Sequence, residues 1–313
     1  MRDILASLII GQLVSVSLAL ASFSTSLLTA NGVGIPTTQI TLSYFSIAVV
    51  YGTVQFCRRQ RLHLPWHWYL LLAIVESQGT FLFTKSFQYS SITSITLLDC
   101  FTIAWVVILT WFFMAARYTH WQLIGAVICV VGLGLVFLSD ANPSAGGGSS
   151  PLLGDFLVLI ATVFYALSNV GQEYCVKRRD WIETLSMLGL FGFVVSAIEL
   201  SVLEVKTIER VEWSWKIVSC LFGYALSNFM FHSLTPFVLK MSGSTLFNLS
   251  LLTSDLWAVV IRIFFYNQKV DWLYFVAFGV VAGGLAIYSS TYVGEDEESL
   301  VLIEERGHLI PAE

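Results

Sequence analysis

A single apolar stretch with a carboxylate inside it limits most strongly what this chain can fold into. It runs from Ile92 to about Ala115 and contains Asp99. As a helix, the stretch is long enough to cross the roughly 30 Å hydrocarbon layer of a bilayer. A carboxylate at that depth is unfavourable by several kcal/mol unless it is paired, hydrated or neutralised, so Asp99 is a candidate functional residue.

The composition extends this conclusion to the whole chain. Hydrophobic residues make up 56% of the 313 residues and charged residues 12%, and the mean hydropathy is +0.77, which is typical of a polytopic membrane protein. The length leaves room for about ten spans of about 20 to 25 residues, so we expect one membrane domain. The net charge of −5 and the lack of a basic tract argue against nucleic acid as a partner. The cysteines lie in or beside apolar runs and predict no disulfide framework.

We predict an all-α polytopic membrane protein with ten transmembrane helices, placed between the prolines, tryptophans and charged residues that punctuate the chain. The predicted spans are Ile4 to Leu28, Pro36 to Phe56, Trp66 to Lys85, Ile92 to Ala115, Trp121 to Ser139, Leu152 to Cys175, Thr184 to Leu203, Trp215 to Leu239, Thr245 to Tyr266 and Trp272 to Tyr292.

The lysines and arginines of the short loops predict the orientation, because cytosolic loops carry the excess. An N-terminus in the cytosol places most of these residues on the cytosolic side and, with an even number of spans, both termini in the cytosol. The cytosolic set is Arg2, Arg58, Arg59, Arg61, Arg117, Lys177, Arg178, Arg179, Lys240 and Arg306, and the opposite set is Lys206, Arg210, Lys216 and Lys269.

The chain also shows signs of two halves. A flexible polar segment, Asn142 to Pro151, lies near the midpoint, and a shift of 151 positions places Trp121 on Trp272 and Gly132 on Gly283. Five spans per half require the second half to enter the membrane in the opposite sense, as in many secondary transporters. We therefore expect a first five-helix repeat over 1–141, a non-cytosolic loop over 142–151, a second five-helix repeat over 152–293 and an acidic cytosolic tail over 294–313.

Small residues mark the last predicted span of each half. Gly279 and Gly283 form a GxxxG motif, and Gly125, Gly132 and Gly134 occupy the corresponding span of the first half. Such residues allow helix backbones to approach closely. They predict either packing within the bundle or a homodimer.

The sequence has no nucleotide-binding loop, no metal-ligand spacing and no nucleophile–base pair, so we expect no enzyme, no cofactor and no metal. It has polar residues inside the predicted spans instead, many at helical spacing. These can line a central aqueous cavity or join helices by hydrogen bonds, and unpaired charges favour the cavity. The sets are Glu76, Gln78 and Lys85 on the third span, Tyr165, Asn169 and Glu173 on the sixth, Tyr224, Asn228 and His232 on the eighth, and Asn248, Asp255 and Arg262 on the ninth.

Several motifs resemble those of the drug/metabolite transporter superfamily and, within it, the F-type members of solute carrier family 35. They are FQYSSITS at Phe87 to Ser94 with LLDC at Leu97 to Cys100, the segment Ala166 to Lys177, GLFG at Gly189 to Gly192, and Asn248 followed by Thr253 to Leu256.

The resemblance implies a ten-helix inverted-repeat carrier with cytosolic termini and a central cavity lined mainly by helices one, three, four, six, eight and nine. Where the subfamily commonly has Asp-Val-Glu-Ala-Asn on the third helix, this chain has Glu-Ser-Gln-Gly-Thr at Glu76 to Thr80. If those side chains contact substrate, selectivity differs from that of relatives.

The resemblance also implies a function. We expect a secondary-active transporter working by alternating access, whose substrate is a small heteroaromatic metabolite such as a modified nucleobase or nucleoside. A nucleotide-sugar antiporter of the secretory pathway and a non-transporting receptor or scaffold are the alternatives. The interior offers only Lys85 and Arg262 as cations for a diphosphate, which disfavours a nucleotide sugar.

The candidate binding residues follow from these considerations, with the lipid bilayer, a small molecule and protons as the expected partners. Asp99 and Asp255 are the proton-coupling candidates, and Asp255 is expected to pair with Lys85 or, through a water, with Arg262. The candidate substrate-binding residues are Asp99, Glu76, Gln78, Lys85, Tyr89, Tyr165, Asn169, Tyr224, Asn228, His232, Asn248 and Asp255.

The acidic tail suggests where the protein resides. Glu298 to Ile303 fits an acidic dileucine signal, with an acid, three residues and then Leu302-Ile303. Such signals resemble addresses for endolysosomal or vacuolar membranes, whereas a solvated disordered tail is the alternative. We expect an endomembrane or the plasma membrane.

Overall fold

The computed structural model of the chain describes residues 2–58, 65–86, 89, 98–99, 101–140, 151–178, 180–254, 256–257, 260, 276, 279–288 and 290. All regular secondary structure in these ranges is helical. The helices are α1 (Arg2–Ala30), α2 (Pro36–Arg58), α3 (Trp66–Ser86), α4 (Phe101–Met114), α5 (His120–Asp140), α6 (Pro151–Arg178), α7 (Trp181–Leu203), α8 (Val205–Ile208), α9 (Trp215–Leu251) and α10 (Gly279–Tyr288).

Within the described residues, five helices are long and apolar enough to cross a bilayer. Most of the predicted spans agree with the observed helices to within a few residues. The seventh begins earlier than predicted, at Trp181, because the Asp180 carboxylate accepts the Ile182 N–H at 3.3 Å and caps the helix. The long apolar segments are Leu5–Thr25, Pro36–Arg58, Leu152–Lys177, Trp181–Leu203 and Trp215–Leu251.

Helix α9 covers the predicted eighth span and the start of the ninth, and it is broken at a single residue. Gly243 has φ 78° and ψ 176°, which are not helical angles. A positive φ is open to glycine at no steric cost. The predicted end of one span and beginning of the next therefore meet at Gly243 with no intervening loop.

The helices pack mainly between the two halves of the sequence. Helix α1 lies against α9, where Val14 packs with Val238 and Phe247 and the Ser15 hydroxyl donates to the Ser250 carbonyl at 2.6 Å. Helices of the first half thus pack mainly against helices of the second half.

Helix α2 lies against α7 and is anchored there at its N-terminus. The Glu204 carboxylate, which follows α7, accepts the Thr37 N–H at 2.6 Å and the Thr38 N–H at 2.8 Å. These donors have no partner inside α2, and a carboxylate at a helix N-terminus is favourable. Glu204, which is buried, therefore fixes the position of α2 beside α7.

The predicted glycine contacts are only partly observed. Helix α5 approaches α10 closely at Gly125, where a Cβ would lie 2.8 Å from the Gly284 carbonyl oxygen. Gly279 and Gly283 are exposed, and a Cβ added to either would have no described atom within 4 Å. Packing of α5 on α10 therefore uses Gly284, and no described residue covers the face of α10 that carries Gly279 and Gly283.

Candidate functional site

Glu76 lies at the centre of a polar cluster to which four helices contribute. Its side chain, on α3, is buried. Gln172 Nε2, on α6, lies 3.4 Å from Glu76 Oε2, and His232 Nδ1, on α9, lies 3.9 Å from Glu76 Oε1. The hydroxyls of Tyr44, on α2, and Ser168, on α6, also hydrogen bond to Glu76. We call these five residues the Glu76 cluster.

The Tyr44 ring is held by close packing of α2 against α7. A Cβ at Gly192 would lie 2.6 Å from Tyr44 Cδ1, so a larger residue there would displace the ring. The ring centroids of Tyr44 and His232 are 5.8 Å apart, within the range of aromatic contacts. Gly192, within the GLFG motif, thus allows Tyr44 to reach both Glu76 and His232.

A second layer of aromatic residues surrounds the cluster. Tyr165 hydrogen bonds to Thr80 and contacts Phe83 edge-on at 5.8 Å between ring centroids. It interacts electrostatically with Asp99, Tyr224 and Glu76. The structure thus brings together five of the predicted site residues, which are Glu76, Asp99, Tyr165, Tyr224 and His232.

Asp99 lies at the edge of this region. Residues 98 and 99 are helical and half-buried, just before α4. Asp99 Oδ1 is 3.3 Å from the Thr102 hydroxyl, which donates a long hydrogen bond. Asp99 and Glu76 both act electrostatically on Tyr165.

Gln78 faces a different helix from Glu76. Its Nε2 and the Ser77 hydroxyl both donate to the Glu199 carboxylate of α7, at 2.5 Å and 2.9 Å. Glu199 is not among the predicted site residues, although it lies inside the predicted span Thr184 to Leu203. The rule that selects charged residues within apolar spans would have found it.

A separate group of contacts surrounds the break in α9. Asn169 Nδ2 donates to Asn248 Oδ1 at 3.0 Å, and Asn248 Nδ2 donates to the Ser244 carbonyl at 2.7 Å. The Glu173 carboxylate accepts the Ser244 N–H at 2.7 Å and lies 2.7 Å from Lys177 Nζ. Asn169 and Asn248 therefore join α6 to α9, as the helix-to-helix alternative predicts.

The remaining predicted residues either make other contacts in the described part of the chain or lie outside it. Lys85 is exposed, with Nζ 5.4 Å from the Phe81 ring centroid, so it does not share the environment of Gln78. Tyr89 is half-buried, and Asn228 hydrogen bonds to Tyr224 on its own helix. Asp255, Arg262 and the dileucine segment lie outside the described residues.

Comparison with known proteins decides the family. The family model for SLC35F, solute carrier family 35, matches residues 1–290. The chain belongs to this family. This SLC35F chain is 34% identical to solute carrier family 35 member F2 of Mus musculus over 298 residues, which are 92% of this chain and 80% of the relative. It is also 34% identical to the Xenopus tropicalis member F2 over 310 residues, 94% of this chain and 79% of the relative.

Two further similarities are more distant or cover less. An uncharacterised solute carrier family 35 member of Schizosaccharomyces pombe is 34% identical over 235 residues, 74% of this chain and 46% of the relative. A solved crystal structure has the same fold, with a TM-score of 0.74 at 15% identity, covering 95% of this chain and 99% of the other. With the long apolar helices, the family makes this SLC35F chain an integral membrane protein, and its solute carrier relatives support a transport role.

Proposed function

We propose that this protein is a secondary-active transporter that works by alternating access and binds its substrate at the Glu76 cluster. The observation that carries the proposal is the meeting of side chains from α2, α3, α6 and α9 around one buried carboxylate. Groups from both halves of the chain contribute, so a substrate bound there would contact both halves. Alternating access requires such a site between elements that move relative to each other.

The chemistry of the cluster favours a neutral or cationic heteroaromatic substrate. Tyr44, Tyr165 and Tyr224 provide aromatic faces on which a heterocycle can stack, and the Glu76 carboxylate and the Gln172 amide can bind its hydrogen-bonding edge. In the part of the chain that the structure describes, no lysine or arginine contacts Glu76. A diphosphate would lack a cationic partner there. We therefore favour a nucleobase or nucleoside over a nucleotide sugar.

Uptake into proteoliposomes tests the proposal. Labelled adenine, guanine, adenosine and guanosine are compared with nucleotide sugars, and protein-free liposomes give the background. We expect uptake of at least one nucleobase or nucleoside and a large loss in the Glu76→Gln variant. The same chemical change at the exposed Glu209, Glu209→Gln, is the matched control. Uptake of nucleotide sugars alone would support the antiporter, and folded protein that moves no solute would support a scaffold.

We further propose the architecture and orientation that the sequence predicts. The two halves, 1–141 and 152–293, form inverted five-helix repeats joined by the loop 142–151, and both termini and the tail 294–313 lie in the cytosol. The charges of the loops support the orientation, and the shift of 151 positions that places Trp121 on Trp272 and Gly132 on Gly283 supports the repeat.

The sequence alone nominates Asp99 and Asp255 for proton coupling and an endomembrane location directed by Leu302 and Ile303. The open face of Gly279 and Gly283 supports the proposal of a homodimer, since small residues let helices approach. Crosslinking of single cysteines placed on this face tests the dimer.

A further inference from the structure

We propose that Glu76 and His232 together form a proton-binding site whose single proton couples substrate transport to a proton gradient. The inference rests on the proposed transport function and deepens it. It moves the coupling from Asp99 and Asp255, the residues favoured by sequence, to a pair that only the folded chain brings together.

Glu76 and His232 lie close together inside the helix bundle. His232 Nδ1 and Glu76 Oε1 are 3.9 Å apart, and the two side chains are 9% and 11% exposed. This separation is longer than a hydrogen bond but within the range of an ion pair. A side-chain movement of under about 1 Å would make it a hydrogen bond, so a proton can pass between the two groups within the site.

The charge of the Glu76–His232 pair depends on the number of protons it binds. Tyr44, Ser168 and Gln172 are neutral groups, so they can solvate Glu76 but cannot cancel its charge. With one proton the pair is neutral overall, either as carboxylate and imidazolium or as carboxylic acid and imidazole. With no proton it carries one negative charge, and with two it carries one positive charge. Both are unfavourable in the interior of a membrane protein, so the free site retains one shared proton.

The other titratable groups near the pair do not replace it. Tyr44 from α2, Tyr165 from α6 and Tyr224 from α9 are phenols, which ionise only near pH 10 in water. Glu199, from α7, is bound by Ser77 and Gln78. Asp99 contacts Thr102 and affects Tyr165. Among the described residues, only His232 lies within ion-pair distance of Glu76.

Substrate binding changes this balance, and the direction of coupling follows from the charge of the substrate. A cationic group that pairs with Glu76 takes the place of the proton, which leaves to bulk water, and the result is exchange of substrate for a proton. A neutral heterocycle with an acceptor nitrogen receives a hydrogen bond from the protonated pair and moves with the proton. In both cases one proton moves for each substrate.

A measurement without substrate tests the site directly. Infrared spectra of the reconstituted protein are recorded across pH, and the carbonyl band of a protonated carboxyl group is followed. We expect a titrating carboxyl signal that disappears in Glu76→Gln and titrates at a different pH in His232→Gln, with no change in Glu209→Gln. Thermal unfolding establishes that each variant is folded. Spectra unchanged by Glu76→Gln, or a titration unchanged by His232→Gln, would overturn the proposal.

A transport measurement tests the coupling. Guanosine and adenine serve as probes, and steady-state accumulation under a gradient of one pH unit is divided by accumulation without it. One proton per substrate predicts a ratio of about tenfold. Both variants should transport more slowly, because both residues line the site, and their ratio should fall to one. Loss of the gradient effect in Asp99→Asn but not in Glu76→Gln or His232→Gln would return the coupling to Asp99 and contradict the pair.

The two experiments separate the two proposals. If no probe moves in any variant, the transport function fails for these substrates while the infrared titration still decides the proton site. If wild-type protein accumulates a probe with no effect of the gradient, the transport function stands and the proton-coupling proposal is wrong.

Discussion

Single residues of the Glu76 cluster illustrate what the sequence can and cannot predict. Glu76, Tyr165 and His232 stand out in the sequence because they are polar residues inside apolar spans. Burial of such groups is unfavourable unless they are paired or hydrated, so they are candidate functional residues. Tyr44 does not, because a tyrosine in a span with several hydroxyl residues carries no comparable signal. Which side chains meet across helices depends on the rotation of each helix about its axis, and periodicity within one helix does not specify it.

The hydroxyl of Tyr44 is the simplest member of the cluster to test. Tyr44→Phe removes one hydrogen bond to Glu76 and keeps the ring beside Gly192 and His232. A hydrogen bond to a charged group contributes about 1.5 to 3 kcal/mol, so we expect transport at low substrate concentration to fall by about tenfold or more. Tyr51→Phe is the control, since Tyr51 makes ring contacts with Trp181 and Phe229. Equal losses in both variants would show that the Tyr44 hydroxyl has no special role.

At the scale of helices, the break in α9 depends on a contact with α6. The sequence predicts that one span ends and the next begins near Gly243. It does not predict that a single residue separates them. Such a break is stable because Glu173 supplies the cap that a loop would otherwise provide, accepting the Ser244 N–H at 2.7 Å. Because the capping residue Glu173 lies on α6, the local sequence of α9 does not predict the break.

Gly243 should therefore tolerate no side chain. In Gly243→Ala the methyl group would lie 2.7 Å from Glu173 Oε1, and the residue would keep a φ of 78°. Backbone strain of this kind costs about 1 to 3 kcal/mol, so we expect a lower unfolding temperature and slower transport. Gly52→Ala is the control, because no atom lies within 4 Å of the added methyl group in the described structure and alanine favours a helix. Unchanged stability in Gly243→Ala would mean that neither the positive φ of Gly243 nor the contact with Glu173 determines the conformation at the break.

The anchor between α2 and α7 gives a second test at this scale. Glu204→Ala leaves the Thr37 and Thr38 N–H groups without their acceptor. We expect a loss of about 1 to 3 kcal/mol in the free energy of unfolding, measured in detergent with increasing denaturant. The exposed Glu209 provides the comparison, and Glu209→Ala should leave the stability nearly unchanged. A similar stability in both variants would contradict the anchoring role.

At the scale of the whole molecule, the orientation can be tested with the cysteines already present. Cys57 is exposed near the end of α2, whereas Cys129 is buried between helices. If the end of α2 faces the cytosol, an impermeant maleimide should label a variant that retains only Cys57 from the cytosolic side of sealed vesicles. A variant that retains only Cys129 should react only after denaturation. Labelling of Cys57 from the opposite side would reverse the proposed orientation.

The proposed sorting signal in the C-terminal tail can be tested at the same scale. Replacing Leu302 and Ile303 by alanine removes the dileucine pattern and adds no charge. We expect the protein to move from internal membranes towards the plasma membrane, as followed by microscopy and fractionation. Ser299→Ala is the control, because Ser299 occupies one of the three positions between the acid and the Leu-Ile pair at which the pattern specifies no residue type. An unchanged distribution would leave the tail as a solvated segment.

The packing of α1 on α9 and of α2 on α7 has a consequence for biosynthesis. When the ribosome has completed about the first half of the chain, α1 and α2 are in the bilayer but neither has met its main partner. The Ser15 hydroxyl can bond to the Ser250 carbonyl only after Ser250 has been synthesised. The N-terminus of α2 can bond to Glu204 only after Glu204 has been synthesised. The assembly of α2 is thus delayed until Glu204 of the 313-residue chain has been made, and that of α1 until Ser250 has been made. Products that stop in the second half would present unpaired helix surfaces to the quality-control machinery and be degraded, not persist as half-carriers.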